Sequence, residues 1–210
     1  MSRKIQIAIG LLLSLGAASY LTFHTDIRAD LNTRLVTEGL WAIATLVVLA
    51  YVALVERLPL SSAGVRPLSW RDALIGAGGG VALMILTAVI YLSLFPIVLL
   101  TISISHTPNT LSMPLWYRFI LVTRLAFTDE FLFRSYAIER LDELGLGKWI
   151  AGAISLALYV ALHWSSWNPV ESIAMAFGGA LLTGLYLWRR NVWVNMIARW
   201  IVEGAGYLLH

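Results

Sequence analysis

The chain has 210 residues, of which 59% are hydrophobic and 13% charged, and it contains no cysteine. Soluble domains typically carry about 25% charged and 45–50% apolar residues, so this composition excludes most soluble classes and indicates a polytopic membrane protein. A chain without cysteine has no disulfides, thiolate zinc sites or cysteine nucleophile. Because a membrane-spanning helix needs about 20 apolar residues, we predict one integral membrane domain over residues 1–210.

Hydropathy predicts an all-α fold, a membrane helix bundle of about seven transmembrane helices. We expect these helices at residues 5–23, 36–55, 73–99, 115–138, 148–164, 169–188 and 191–209, with the fourth and seventh the least apolar. The first is interpreted as a retained span, because its apolar stretch is longer than that of a signal peptide.

The distribution of basic residues predicts the orientation of the bundle. Nine of them fall on the side of the N-terminus: Arg3, Lys4, Arg57, Arg66, Arg71, Arg140, Lys148, Arg189 and Arg190. Three fall on the other side: Arg28, Arg34 and Arg118. The positive-inside rule then predicts a multi-pass protein of the cell membrane with its N-terminus in the cytoplasm. The net charge of +3 is therefore mostly a topology signal, and no nucleic-acid partner is expected.

Glycines mark expected contacts and turns. Gly76 and Gly80 in the third span, and Gly178, Gly179 and Gly184 in the sixth, follow the small-residue spacing that is typical of close packing between membrane helices. Two further glycines follow a charged run after the fourth span. Gly145 and Gly147 predict a helix stop and a tight turn.

Charged residues fall inside the apolar spans, among them Arg124, Asp129, Glu130, Arg134, Arg199 and Glu203, and His163 lies near the end of the fifth span. Each ionisable group at membrane depth costs at least a few kcal/mol, so such groups normally face the bundle interior and mark function. The fourth, fifth and seventh helices therefore hold the candidate functional residues.

Spacing alone leaves two interpretations of these residues open. Glu130 and Arg134 are four apart and share a helix face, which predicts an ion pair, while Asp129 points about 100° away. These residues can prepare a general base or form a neutral packing cluster. His163 is typical either of a catalyst or of an interfacial hydrogen-bonding residue.

The seventh span shows a similar ambiguity. Asn195, Arg199 and Glu203 form one polar stripe along an otherwise apolar helix, and this stripe must face protein or water. The simplest structural interpretation of the stripe is an Arg199–Glu203 ion pair that locks the packing of the helix.

Together these residues resemble the CPBP family of intramembrane proteases, which includes type II CAAX prenyl endopeptidases and bacteriocin-processing and self-immunity proteins of bacteria. The family's Glu-Glu-x-x-x-Arg motif is matched by the run from Asp129 to Arg134, with one conservative change. Its second motif, an aromatic residue four positions before a histidine, is matched by Tyr159 and His163. The resemblance covers about residues 115–209, which we expect to be the catalytic core region.

The third motif of the family departs from its usual form. It is a His followed four residues later by Asn or Asp, and this chain has Arg199 and Glu203 there. Arg199 stays protonated, so it can stabilise an oxyanion but cannot act as a base or bind a metal. Glu203 is expected to compensate the charge of Arg199, so the two changes are interpreted as one coupled swap.

The resemblance implies a water-filled cavity in which a carboxylate and His163 activate water to cleave a membrane-associated protein or peptide. By position, Asp129 matches the activating carboxylate, Glu130 and Arg134 its supporting pair, and His163 the second catalytic residue. The third-motif pair, Arg199 and Glu203, would bind the carbonyl or its oxyanion, with Asn195 in a supporting role. One intramembrane His and no Cys do not favour a zinc site, so metal-independent, glutamate-type chemistry without a cofactor is expected.

Two alternatives to this endopeptidase stay open. The first is a non-catalytic relative, a membrane scaffold, immunity or regulatory protein that has lost the third motif. The second is a small proton-coupled carrier using Asp129, Glu130 and Glu203 as a relay, although we find no paired inverted repeats of the kind typical of carriers. Membrane lipid is an expected partner in every case, and the sequence does not define the oligomeric state.

Overall fold

The computed structural model describes residues 2–25, 29–94, 110–164 and 169–209. Throughout these residues the regular structure is helical and no strand occurs, which confirms the predicted fold class. The long helices are α1 (Arg3–His24), α2 (Leu31–Val55), α3 (Trp70–Ser93), α4 (Leu115–Arg124, Leu125–Tyr136 and Ala137–Leu141 in succession), α5 (Lys148–Trp164), α6 (Pro169–Arg189) and α7 (Val192–Leu208).

Four of these helices are long and apolar enough to cross a membrane, namely α1, α2, α3 and most of α6. Helix α5 is apolar but has only 17 residues, and α4 and α7 carry the charges noted in the sequence. The chain is thus a multi-pass membrane protein. The last residues of the predicted third span, 95–99, and Arg28 lie outside the described residues.

Local sequence signals explain where several helices begin and end. The Asp30 side chain accepts a hydrogen bond from the Thr33 amide at the start of α2. At the start of α3, Ser69 and Asp72 form a reciprocal capping box. After α4, Gly145 and Gly147 have φ of +95° and +79°, a conformation that favours glycine, which confirms the predicted stop and turn.

Helices α3 and α7 pack closely through the glycines of α3. A Cβ atom on Gly76 would lie 2.8 Å from the Val194 carbonyl oxygen, and one on Gly80 would lie 3.0 Å from the Ala198 carbonyl oxygen. Both contacts are with backbone, which cannot move aside easily, so the predicted packing role of these two glycines is confirmed. The same prediction is wrong for Gly184, where a Cβ would meet nothing within 4 Å.

The centre of the bundle is the second segment of α4, Leu125–Tyr136, which is wound as a π-helix. Rare π-helical stretches in proteins frequently coincide with functional sites. Helices α1, α2, α5 and α7 surround this segment, and Phe131, Phe133 and Tyr136 are fully buried within it. The Asp129-Glu130 pair therefore lies at the centre of the protein.

Candidate functional site

Arg199 of α7 contacts several of the charged side chains inside the bundle. Its Nη2 lies 2.8 Å from an Asp129 carboxylate oxygen and its Nη1 donates to Glu130 Oε1 at 3.1 Å. Its Nε lies 3.5 Å from Glu203 Oε1, and Nη2 also donates to the Tyr159 hydroxyl at 3.0 Å. Arg199 is 4% exposed, and its guanidinium therefore contacts three carboxylates in the protein interior.

Glu130 is the most heavily contacted carboxylate. Arg134 Nη1 donates to it at 2.9 Å, which confirms the ion pair predicted from their spacing. Asn195 Nδ2 donates to its other oxygen at 3.0 Å and to the Leu182 carbonyl at 2.8 Å. With the bond from Arg199, Glu130 accepts from three side chains, so little of its hydrogen-bonding capacity is left for a water molecule.

Asp129 has a second arginine close by. Arg124 Nη1 lies 3.7 Å from its carboxylate, but the Arg124 Nε donates to Glu38 of α2 at 2.5 Å. The Arg124 guanidinium also lies over the Trp41 ring, 5.2 Å from its centroid. Arg124 is therefore held mainly by Glu38, and Arg199 is the nearer partner of Asp129.

Sequence reasoning assigned no role to Glu38. It lies inside the predicted second span and is 7% exposed. The signal was available, because a carboxylate inside an apolar span needs a partner. Arg124 had been identified as intramembrane, but predicting that Glu38 is its partner requires knowledge of how α2 packs on α4.

We call these eight buried or partly buried side chains the central cluster: Glu38, Arg124, Asp129, Glu130, Arg134, Asn195, Arg199 and Glu203. The cluster contains three arginines and four carboxylates, so it carries one formal negative charge when all are ionised. Buried charges at this density persist only when they are paired and hydrogen-bonded. The predicted polar stripe of α7 thus faces protein, as expected.

His163 makes different contacts from those expected of a residue that shares a water with a carboxylate. Within the described residues its Nδ1 is hydrogen-bonded to the Tyr159 carbonyl oxygen, 2.8 Å away. Its ring contacts the rings of Phe133 and Tyr159, with centroids 6.3 and 4.6 Å apart. These contacts fit the interfacial interpretation better, and the catalytic role of His163 stays a prediction.

A cavity of about 480 Å³ lies beside the central cluster, between α3, α6 and α7. Its polar lining consists of Thr87, Tyr91, Arg134, Tyr159, Glu171, Arg199, Glu203 and Tyr207. Asp129, Glu130 and His163 are not among the lining residues. Glu203, whose side chain is 22% exposed, is therefore the carboxylate of the central cluster that faces the cavity.

Nothing in this donor set resembles a metal site. Among the residues that the structure describes, no group of three or more His, Asp or Glu side chains is placed to hold an ion. Where the sequence analysis placed the third-motif histidine of the family, the structure has the Arg199 guanidinium between two carboxylates.

The region that builds most of this site matches a known family. The family model described as type II CAAX prenyl endopeptidase Rce1-like matches residues 110–205. These residues are therefore similar to the Rce1-like family. The match confirms the predicted resemblance, and the Rce1-like region includes every member of the central cluster except Glu38. Searches of curated proteins and of solved structures give no match to this chain. Over these residues the chain therefore resembles CAAX-type proteases and related membrane proteins.

Proposed function

We propose that this protein is a non-hydrolytic member of the Rce1-like family, which binds a membrane-associated protein or peptide without cleaving it. The observation that carries the proposal is the bridge that Arg199 makes between Asp129 and Glu130. This function is the non-catalytic alternative left open by the sequence, and the bridge is what favours it over the endopeptidase.

Water activation needs a carboxylate with a free lone pair and a water molecule within about 3 Å. The first-motif carboxylates Asp129 and Glu130 are 2% and 0% exposed and do not line the cavity. Both are in contact with guanidinium groups, which hold a permanent positive charge. Neither carboxylate therefore has the open, cavity-facing position that water activation requires.

Opening the bridge to free these carboxylates is energetically unfavourable. Separating one partner from a buried ion pair costs about 3–5 kcal/mol. Arg199 has three carboxylate partners. Displacing it by substrate would therefore leave several buried charges without their counter-ion, so the bridged arrangement is the stable resting form.

The cavity supports a binding role. Its volume of about 480 Å³ lies in the range of small-molecule and peptide side-chain pockets. Met84 lines it and is 40% exposed on the outside of α3, so the cavity is continuous with the surface of the bundle. A membrane scaffold, immunity or regulatory protein needs a pocket of this kind but no activated water.

A second candidate function is an endopeptidase in which Glu203 is the base. The favouring observation is that Glu203 lines the cavity beside Arg199, whose guanidinium can stabilise an oxyanion. Asp129 and Glu130 would then position Arg199 rather than contact water. This candidate differs from the sequence prediction, in which Asp129 or Glu130 activates water with His163.

The two functions are separated by profiling new protein N-termini in membranes of cells that express the protein. The wild type is compared with Glu203→Gln and with the Asp129→Asn, Glu130→Gln double variant, all at matched protein levels. We expect the same set of N-termini in every sample. This readout does not require a known substrate.

Cleavage by the wild type that disappears in Glu203→Gln would overturn the non-hydrolytic proposal in favour of the second candidate. Cleavage that disappears only in the double variant and in His163→Ala would support the sequence-predicted mechanism instead. A variant that fails to accumulate is replaced by Glu203→Asp or Asp129→Glu, which keep the charge and move the carboxylate by one methylene.

A further inference from the structure

Arg134 lines the cavity and has two unsatisfied hydrogen-bond donors. The residue is 1% exposed, and its Nη1 donates to Glu130 at 2.9 Å. Its Nε and Nη2 atoms have no hydrogen-bond partner among the described residues. Most buried polar groups in proteins are hydrogen-bonded, so two unsatisfied donors on one buried guanidinium indicate a site that a further acceptor completes.

The two unsatisfied donors lie on the same edge of the guanidinium. The Nε–H and one Nη2–H of an arginine point in the same direction and match the two oxygens of a carboxylate in a bidentate contact. One face of the group is covered, because the centroid of the Tyr159 ring lies 4.2 Å from the Arg134 guanidinium carbon. The Nε–Nη2 edge is therefore the part of Arg134 that remains for a ligand.

Gly179 leaves this edge close to the cavity. Gly179 and Arg134 both line the cavity, and a Cβ atom on Gly179 would lie 3.1 Å from Arg134 Nη2. Because Nε and Nη2 are buried, we expect a small movement of the guanidinium toward the cavity when a ligand binds. A side chain at position 179 would occupy space beside Nη2 that a ligand oxygen needs.

The charges next to this edge favour an anion. The guanidinium groups of Arg134 and Arg199 both contact Glu130, so this carboxylate compensates the charge of Arg134 only in part. Glu203, which also lines the cavity, contacts Arg199 through its Nε atom, 3.5 Å away. A carboxylate at the Nε–Nη2 edge would therefore gain a charge-assisted pair of hydrogen bonds from Arg134.

The rest of the cavity suits an aliphatic chain. Its lining includes the apolar side chains of Leu83 and Met84 from α3, Met175 from α6 and Val202 from α7. Met84 is also 40% exposed on α3, a helix that is long and apolar enough to cross a membrane. A chain that passes Met84 therefore connects the cavity with the acyl chains of the bilayer.

We infer that the cavity binds a free fatty acid, with its carboxylate at the Nε–Nη2 edge of Arg134 and its acyl chain along the apolar lining toward Met84. The chain gains little when it leaves the bilayer, because lipid tails are as apolar as the lining, so the carboxylate provides most of the preference. This inference goes beyond the proposed function and does not rest on it, since the site is compatible with a hydrolytic or a non-hydrolytic centre.

The test measures how much lipid stays bound to the purified protein in detergent. Delipidated wild type is incubated with palmitic acid or with methyl palmitate at equal concentration, at a pH at which the acid is ionised. Lipid that remains after gel filtration is extracted and quantified by mass spectrometry. The ester keeps the chain and removes the charge, so we expect about tenfold more retention of the acid, which corresponds to about 1.4 kcal/mol.

Two adjacent glycines offer a matched pair of variants for this test. Gly178 and Gly179 both line the cavity and are both buried. A Cβ on either glycine would press on a leucine methyl group, of Leu83 at 3.3 Å and of Leu156 at 2.9 Å respectively, but only the Cβ on Gly179 would also lie beside Arg134 Nη2. Gly179→Ala is expected to abolish the preference for the acid, whereas Gly178→Ala is expected to retain it.

Two results would overturn the inference. One is equal retention of palmitic acid and methyl palmitate by the wild type. The other is identical behaviour of Gly178→Ala and Gly179→Ala, which would show that the edge of Arg134 does not hold the acid. The comparison of the two lipids on the wild type keeps the test decisive even if a variant does not fold. New N-termini in the cleavage experiment would overturn the proposed function and leave this test unaffected.

Discussion

Two networks of arginines and carboxylates among the described residues differ in how evenly the charges are shared. The second network, which we call the end cluster, consists of Arg3, Glu56, Ser62, Tyr136 and Arg140. Arg140 Nε and Nη2 both donate to Glu56, and its Nη1 donates to the Ser62 carbonyl oxygen at 3.0 Å. The Tyr136 hydroxyl donates to the same Glu56 carboxylate at 3.0 Å.

In the end cluster each guanidinium nitrogen of Arg140 donates to an acceptor, and Arg140 pairs mainly with one carboxylate, that of Glu56. In the central cluster Arg199 serves three carboxylates, while Arg134 keeps two nitrogens without a hydrogen-bond partner among the described residues. An ion pair in which every donor has an acceptor stabilises the fold. An arginine beside a cavity whose donors are not all satisfied can still bind a ligand. We therefore interpret the end cluster as structural and propose the central cluster as the functional site.

The largest effect is expected from Arg140→Met. This change leaves Glu56, whose side chain is fully buried, without its nearer counter-ion, since Arg3 lies 3.5 Å away, and we expect a loss of about 3–5 kcal/mol in the free energy of unfolding. Unfolding in detergent micelles measures it. Lys148→Met is the control, because Lys148 is exposed, and it should cost below about 0.5 kcal/mol. The structural role of the end cluster is contradicted if Arg140→Met is no more destabilising than Lys148→Met.

An intermediate effect is expected from the coupled pair in α7. Arg199→His and Glu203→Asn should each destabilise the protein more than the double variant does, with an interaction energy of about 1–3 kcal/mol. The reason is that either single change removes one partner of the Arg199–Glu203 contact and leaves the other behind, whereas the double change removes both together. A double-mutant cycle of unfolding measurements tests this, and additive effects would show that the two residues are not coupled.

The smallest effect is expected at the exposed edge of the end cluster. The hydrogen bond that Arg3 donates at 2.6 Å holds the pKa of Glu143 below its ordinary value of 4.5. Glu143 therefore contributes stability above about pH 4.5, and that contribution disappears as the pH falls through the lowered pKa. Both side chains are about one third exposed, so solvent screening limits the effect to below about 1 kcal/mol.

This pH dependence is measured as the difference in melting temperature between the wild type and Glu143→Gln. The difference should be small at pH 7 and should decrease further as the pH falls below 4.5 and through the lowered pKa of Glu143. A difference that grows on acidification would mean that the carboxyl is protonated, not ionised, in the pair.

Local contacts were predictable from the sequence and tertiary contacts were not. The Glu130–Arg134 pair follows from helical spacing, and the turn at Gly145 follows from glycine after a charged run. The distribution of Arg199 over Asp129 and Glu130 depends on how α7 packs against α4, which no residue spacing encodes. The sequence therefore indicated an Arg199–Glu203 pair, although the structure gives Arg199 two nearer partners.

The glycine contacts of α3 have a consequence for how this protein can change. The closest backbone contacts of α3 with α7 are at Gly76 and Gly80, in the first half of the helix, whereas the second half borders the cavity. A substitution among the cavity residues from Met84 to Tyr91 alters the pocket without touching these two glycine contacts. Ligand preference can therefore diverge by single substitutions while the bundle keeps its fold.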